Sequence, residues 1–329
     1  MNTPFSDDFL IASPDYADVI NGEVLPFLDA CREDRNLSGR DGFPLFCSVF
    51  RPEDPIGTVV VVHGFTENTF KYSELIYSLL RIHFCVVAYD QRGHGRSGRV
   101  EGLPHPSVTH VDRFEDYVDD LNIVCNALLP ALPKPWRVFA HSMGGAVTSL
   151  FLEQYHDVFS AASLCAPMIA PATGGVPASF ASSLAKVFSL TNHGRSNPFF
   201  MKPYAGPEDF STSCATDPVR FAWYDAVKAD HQEYWNSVPS ARWVAESVAV
   251  TKKILAPGAP ESVACPVLLS TAEHDFSVLP EPQKQFIDRV PQGKHIFVKE
   301  ARHEIFRSVN AVFFPWWHQV LTFLKEASI

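Results

Sequence analysis

Six short apolar runs punctuate the chain, at residues 58–62, 84–89, 137–140, 161–164, 267–270 and 295–298. Runs this short, dense in aliphatic and β-branched side chains, predict parallel strands buried on both faces. Between them the apolar positions take a helical period, over 72–82, 114–129, 145–155 and 282–290, and a last helix is predicted over 312–325. Strand–helix alternation with short connections predicts a doubly wound, mostly parallel α/β sheet. Ahead of it, 15–31 reads as an amphipathic helix. The turn pair Asp41-Gly42 and the alternating stretch 45–50 then predict an antiparallel hairpin.

The rhythm stops between Pro167 and Ala264. This interval holds Pro/Gly-rich pieces at 167–177, 203–207 and 256–260, helical patches at 180–190, 218–231 and 241–255, and no convincing buried strand. One strand precedes it and another follows. It is therefore expected to be a helical cap inserted into the core, above the carboxyl ends of the strands, where such sheets hold ligands. An independent partner-binding domain is the competing reading. The expected organisation is core over 1–166, cap over 167–264 and core again over 265–329.

Residues 137–146 read R-V-F-A-H-S-M-G-G-A. An apolar strand ends abruptly at His141 and Ser142, two glycines follow, and a helical run begins. A serine at the apex of such a turn is held in strained dihedrals with its hydroxyl above the sheet. The usual pattern is G-x-S-x-G; here Ala140 takes the place of the first glycine. A nucleophilic serine needs a base, an orienting acid and an oxyanion site, and on this kind of sheet the order is Ser, acid, His. Asp275 lies in the loop after the run 267–270, and His303 in the loop after 295–298. Glu273 competes with Asp275 for the acid. His274 reads as a spacer, His295 as a strand residue and His318 as a helix residue. The first core strand runs into V-V-H-G-F-T-E, so the N–H of Phe65, together with that of Met143 after the serine, is expected to form the oxyanion site. His63 reads as a brace for that turn. The run D-Q-R-G-H-G-R-S at 90–97 matches neither phosphate-loop spacing and reads as a turn pinned by Asp90 and Arg92.

Composition narrows the classes. The chain has 329 residues, 46% hydrophobic and 19% charged, enough for a sizeable core. A formal net charge of −10, with no basic block, argues against nucleic acid. The 7 cysteines include no C-x-x-C pair and several sit in apolar runs, as in a reduced cytoplasmic protein. No cluster has metal-ligand spacing, and no cofactor or metal is expected. No apolar run approaches the roughly 18–20 residues of a membrane span, which leaves room for peripheral contact with a membrane or micelle surface. Oligomeric state is not legible.

With these residues in hand, the chain resembles the serine hydrolases of the α/β-hydrolase superfamily. Within them it resembles the lysophospholipase and monoacylglycerol lipase group, most closely the bacterial lysophospholipases. The matching pieces are H-G-F-T-E at 63–67 with Lys71-Tyr72, D-Q-R-G-H-G-R-S at 90–97, F-E-D-Y-V-D-D-L at 114–121, A-H-S-M-G-G at 140–145 and S-A-R-W-V-A-E-S-V at 240–248. The alanine at 140 is shared with the bacterial group. The loop Glu273-His274-Asp275-Phe276 departs from it. The resemblance implies the α/β-hydrolase fold and hydrolysis of a single-acyl-chain ester, a lysophospholipid or monoacylglycerol, through an acyl-enzyme. The cap supplies apolar groups suited to an acyl chain: Val176, Phe180, Leu184, Val187, Phe188, Phe199, Phe200 and Met201. An N-terminal exopeptidase of the proline iminopeptidase kind would use the same three residues, with cap acids (Glu208, Asp209, Asp225, Asp230, Glu233) binding an ammonium. A short-chain carboxylesterase and a non-catalytic binding member complete the alternatives.

Overall fold

The computed structural model describes residues 9–172, 194–198 and 201–327. Its centre is an eight-stranded sheet in the order β1-β2-β4-β3-β6-β7-β9-β10. The strands are β1 (Arg32–Ser38), β2 (Pro44–Phe50), β3 (Gly57–Val62), β4 (Phe84–Tyr89), β6 (Trp136–His141), β7 (Ala161–Cys165), β9 (Val267–Ala272) and β10 (Gly293–Val298). From β4 to β10 every neighbouring pair is parallel. The hairpin β1–β2 adds to β4 antiparallel.

The central apolar runs became strands because each carries side chains that fill both faces. In β3 Val60 and Val62 face one layer of core while Val59 and Val61 face the other. The first layer is covered by α4 (Glu115–Leu128) and α5 (Met143–Gln154), the second by α1 (Tyr16–Val19), α2 (Leu25–Cys31), α3 (Ser73–Arg81) and α9 (Asn310–Glu326). The expected helix over 15–31 is α1, a π-helical turn and α2 in one continuous run. Its buried residues Tyr16, Ile20, Val24 and Leu28 recur every four positions. One expectation needs correcting. The run 295–298 is not buried on both faces: β10 is the sheet edge, and Phe297 is 53% exposed. Apolar residues alone do not distinguish an edge from a centre.

The interval 167–264 contains α6 (Pro218–Asp230) and α7 (Ala241–Ile254). It also contains a two-residue strand, β8 (Val238–Pro239), paired parallel with β5 (Val108–Thr109). The sequence pattern misses this strand because two residues carry no period. Arg220 ties α6 to the core: its guanidinium donates to both oxygens of Glu74, at 2.9 and 2.8 Å, and to Asn310 at 2.8 Å. The expected helix over 180–190, and the proposed pocket residues Val176, Phe180, Leu184, Val187, Phe188, Phe199 and Phe200, lie outside the described residues. Met201 is described and is 37% exposed. The helix α8 (Pro280–Ile287) closes the list of long elements.

Candidate active site

The carboxyl ends of β6, β9 and β10 bring Ser142, Asp275 and His303 together. Ser142 sits between β6 and α5 at φ 51°, ψ −118°, a conformation that L-residues avoid. Three backbone hydrogen bonds hold it there. Its N–H donates to the Cys165 carbonyl at 3.1 Å, and its own carbonyl accepts from Ala146 at 3.2 Å and Met168 at 2.8 Å. The glycines after it are required by contact. A methyl at Gly144 would stand 2.3 Å from the Val62 carbonyl oxygen, and one at Gly145 would stand 2.5 Å from Pro167 Cβ. Ala140 is fully buried in β6 between Val62 and Leu164, so its methyl fits where the pattern usually has glycine.

His303 Nε2 lies 2.7 Å from Ser142 Oγ, and its Nδ1 lies 2.7 Å from Asp275 Oδ2. A carboxylate only accepts, so Nδ1 carries the proton and Nε2 faces the serine hydroxyl with its lone pair. The other Asp275 oxygen accepts from the N–H groups of Ser277 at 2.8 Å and Val278 at 3.1 Å. Burial pushes the Asp275 carboxyl up, but the neighbouring His303 and these hydrogen bonds outweigh it and hold it below its ordinary range. Glu273, the competing acid, accepts instead from the Glu300 N–H at 2.8 Å and lies 3.6 Å from His274. His274 is largely exposed, and His295 meets Thr271 at 2.8 Å.

The loop after β3 passes over the serine. A methyl on Gly64 would come 3.0 Å from Ser142 Cβ. The Gly64 N–H is engaged by Glu67 Oε2 at 2.6 Å. No described residue accepts from the N–H of Phe65 or Met143. The Phe65 ring packs on Trp243 of α7, with centroids 4.3 Å apart. His63 braces the turn, with Nδ1 on the Gly64 carbonyl at 2.7 Å and Nε2 accepting from Gln91 N–H at 2.9 Å. Asp90 and Arg92 also act structurally. Asp90 accepts from Thr69 and Arg96 N–H groups, and Arg92 grips Asp120 through two bonds of 2.7 and 2.8 Å.

Sequence reasoning missed the charged layer beneath these residues. Glu67 Oε2 also accepts from Tyr72 at 2.5 Å and from His141 Nδ1 at 2.9 Å, while His141 Nε2 reaches the His303 carbonyl at 3.2 Å. Lys71 bridges Glu67 at 3.2 Å and Glu304 at 2.6 Å, and Arg307 holds the second Glu304 oxygen at 2.7 Å. Burial opposes every one of these charges, and the partners prevail. Glu67 is held well below the carboxylate range, His141 is raised, and Glu304 is held down to about 2 by Lys71 and Arg307. The signals were visible as Glu67, Lys71 and Tyr72 in the motif at 63–72 and as Glu304 beside His303, but nothing in the spacing said that they meet.

Among the described residues no group of three or more His, Cys, Asp or Glu is arranged to hold a metal ion. No helix among them is long and apolar enough to cross a membrane.

The sequence matches the family described as serine aminopeptidase, S33, over residues 53–310. It is 32% identical to lysophospholipase L2 of Escherichia coli K12 over 312 residues, covering 90% of this chain and 88% of that one. It is 34% identical to the monoglyceride lipase of Rattus norvegicus over 136 residues, 41% of this chain and 43% of that one. The crystal structure of Paleococcus ferrophilus monoacylglycerol lipase superposes with a TM-score of 0.67 at 22% identity, covering 86% of this chain and 99% of that one. The chain belongs to the serine aminopeptidase S33 family of α/β-hydrolases, in the group of lysophospholipase L2 and the monoglyceride lipases.

Proposed function

We propose that this chain hydrolyses the carboxylic ester of a lipid with one acyl chain, through an acyl-enzyme on Ser142. The observation that carries the reading is the unbroken relay Asp275–His303–Ser142, with both links at 2.7 Å. Ser142 Oγ attacks the ester carbonyl while His303 Nε2 takes its proton. Asp275 keeps His303 in the tautomer that can accept, and stabilises the imidazolium. The negative charge that develops on the carbonyl oxygen is met by the N–H groups of Phe65 and Met143. The C–O bond to the alcohol breaks, His303 returns the proton to the leaving oxygen, and the acyl group stays on Ser142. Water then repeats the sequence and releases the fatty acid.

In this reading residues 167–264 form the cap that holds the acyl chain. Phe276 and Leu279, 54% and 44% exposed beside the Asp275 loop, support meeting the lipid at a membrane or micelle surface. The 7 free thiols, five of them buried, support a reducing, cytoplasmic setting. A lysophospholipid is favoured over a monoacylglycerol. The relative named lysophospholipase L2 matches nearly end to end, whereas the rat monoglyceride lipase matches over less than half.

The family description keeps an aminopeptidase in contention, and that activity needs a free acid to bind an ammonium. Of the five cap acids, four are engaged: Glu208 is paired with Lys228 at 2.6 Å, Asp225 accepts from Glu208 N–H, Asp209 from Ser211, and Glu233 meets His231; the fifth, Asp230, is exposed at the end of α6. These partners support the ester reading. The deciding experiment is one panel of lysophospholipids, monoacylglycerols, p-nitrophenyl esters and aminoacyl-arylamides. Single-chain lipid esters should give the highest kcat/KM; a preference for arylamides or acetyl esters would overturn the proposal.

A further inference from the structure

One carboxylate reaches both halves of the catalytic apparatus. Glu67, in the loop after β3, is 2% exposed. Its Oε2 accepts from the Gly64 N–H at 2.6 Å, from the Tyr72 hydroxyl at 2.5 Å and from His141 Nδ1 at 2.9 Å. Gly64 directly precedes Phe65, whose N–H is the proposed oxyanion donor. His141 directly precedes Ser142, and its Nε2 donates to the His303 carbonyl at 3.2 Å. A carboxylate and a carbonyl only accept, so both His141 nitrogens carry protons and the ring is an imidazolium. Burial opposes that charge, and Glu67 outweighs it and raises the His141 pKa. The His141 ring stands 4.8 Å from the His303 ring.

Taking two ions out of water costs about as much as their pairing returns, so stability alone gives no reason for a buried pair here. Geometry does. A methyl on Gly64 would lie 2.7 Å from Glu67 Oε2, 2.9 Å from His141 Nδ1 and 3.0 Å from Ser142 Cβ. Loop, charged pair and nucleophile therefore meet around one backbone position. When His303 takes the serine proton it becomes a cation beside the His141 cation. Each ring then has its own carboxylate, Asp275 for His303 and Glu67 for His141. We propose that Glu67 and His141 are positioning residues that hold the oxyanion loop and the base in register. Glu67 fixes the loop through the Gly64 N–H, and fixes the His303 backbone through His141. Their role rests on the Ser142 mechanism proposed above, and not on the identity of the acyl substrate.

The test measures kcat and KM on a p-nitrophenyl ester, and the Ki of an alkyl trifluoromethyl ketone, at a temperature well below each variant's Tm. Such a ketone adds to a nucleophilic serine and leaves an oxyanion beside the protonated base, as the transition state does. Glu67→Gln removes the charge that keeps His141 cationic. A neutral ring donates only once, so one of its two tethers is lost. The expected result is a kcat at least roughly tenfold lower, the worth of one charge-assisted hydrogen bond, with KM little changed and the ketone Ki raised by the same factor as kcat/KM falls. His141→Phe keeps a ring without donors and leaves Glu67 its Lys71 partner, so it carries the test should Glu67→Gln fail to fold. It should show the same pattern, and the double variant should lose less than the product of the two single losses, because the His303 tether is shared. Glu74→Gln is the control. Glu74 is 3% exposed and pairs with Arg220 at 2.8 Å, and its loss should lower Tm while kcat, KM and Ki stay at wild-type values. Should aminoacyl-arylamides prove the better substrates, the same ratios read on them would refute the ester reading and still decide this one. Wild-type kcat and Ki in either variant, a change confined to KM, or fully multiplicative losses in the double variant would overturn the proposal.

Discussion

Gly144→Ala tests whether the serine's helix is held at a fixed distance from the loop that faces it. The added methyl would lie 2.3 Å from the Val62 carbonyl oxygen and 2.5 Å from that of His63. Both are backbone atoms of a central strand and its exit, with no side-chain torsion to relieve them. Reaching 3.0 Å, the shortest distance real methyl carbons adopt, needs a shift of about 0.7 Å, and ordinary contact needs about 1 Å. The start of α5 must therefore move away from the loop that carries Phe65. This separates the Met143 and Phe65 N–H groups that are proposed to share one oxyanion. A misplacement of about 1 Å costs on the order of 10²-fold in rate. Overpacking costs about 1–3 kcal/mol, a fall of several degrees in Tm at roughly 2–4 °C per kcal/mol. The assay is steady-state hydrolysis of a p-nitrophenyl ester together with calorimetry. The expected result is a kcat about 10²-fold lower, KM little changed and a lower Tm. Gly22→Ala is the control: it lies in a helical turn with nothing within 4 Å of the added methyl, and should leave activity intact and Tm equal or higher. Wild-type kcat and Tm in Gly144→Ala would refute the reasoning.

Asp275→Asn should fold normally and lose about 10⁴ in kcat by leaving His303 in the wrong tautomer, whereas Glu273→Gln should stay close to wild type; the reverse ranking in kcat would move the acid to Glu273. Catalytic efficiency should climb roughly fourfold per methylene of the acyl chain until the proposed acyl pocket is filled, from about 0.8 kcal/mol per buried CH₂, and a flat series of p-nitrophenyl esters would contradict this. Glu304 is held down to about 2 from an ordinary 4.5; its contribution to stability is present above the ordinary value and is lost as pH falls toward the lowered one. Denaturant titrations should therefore show stability falling from about pH 4.5 to pH 2, with a flatter fall in Glu304→Gln.

The sheet was legible because each central strand carries its own evidence. The runs in β3, β4 and β6 could be buried nowhere but inside a layered fold, and their ends fixed where the loops emerge. Ser142, Asp275 and His303 were legible for the same reason, since each follows a strand end and the sheet brings those ends to one edge. Edge placement was not legible. The side chains of β10 look like those of a central strand, and its place at the edge of the sheet among the described residues leaves Phe297 exposed. Two-residue pairing between β5 and β8 leaves no period to read. The Glu67–His141–Lys71–Glu304–Arg307 layer was hidden for a different reason. Its members come from the β3 loop, the end of β6 and the segment after β10, and only the folded topology makes them neighbours.

The central claim is that Ser142 is a nucleophile activated by His303, and covalent labelling tests it most directly. A fluorophosphonate should add once per chain, with the adduct mapped to Ser142 by peptide mass spectrometry. Labelling should vanish in Ser142→Ala and slow by orders of magnitude in His303→Ala. An adduct on another serine, or undiminished labelling of Ser142 without His303, would contradict the account.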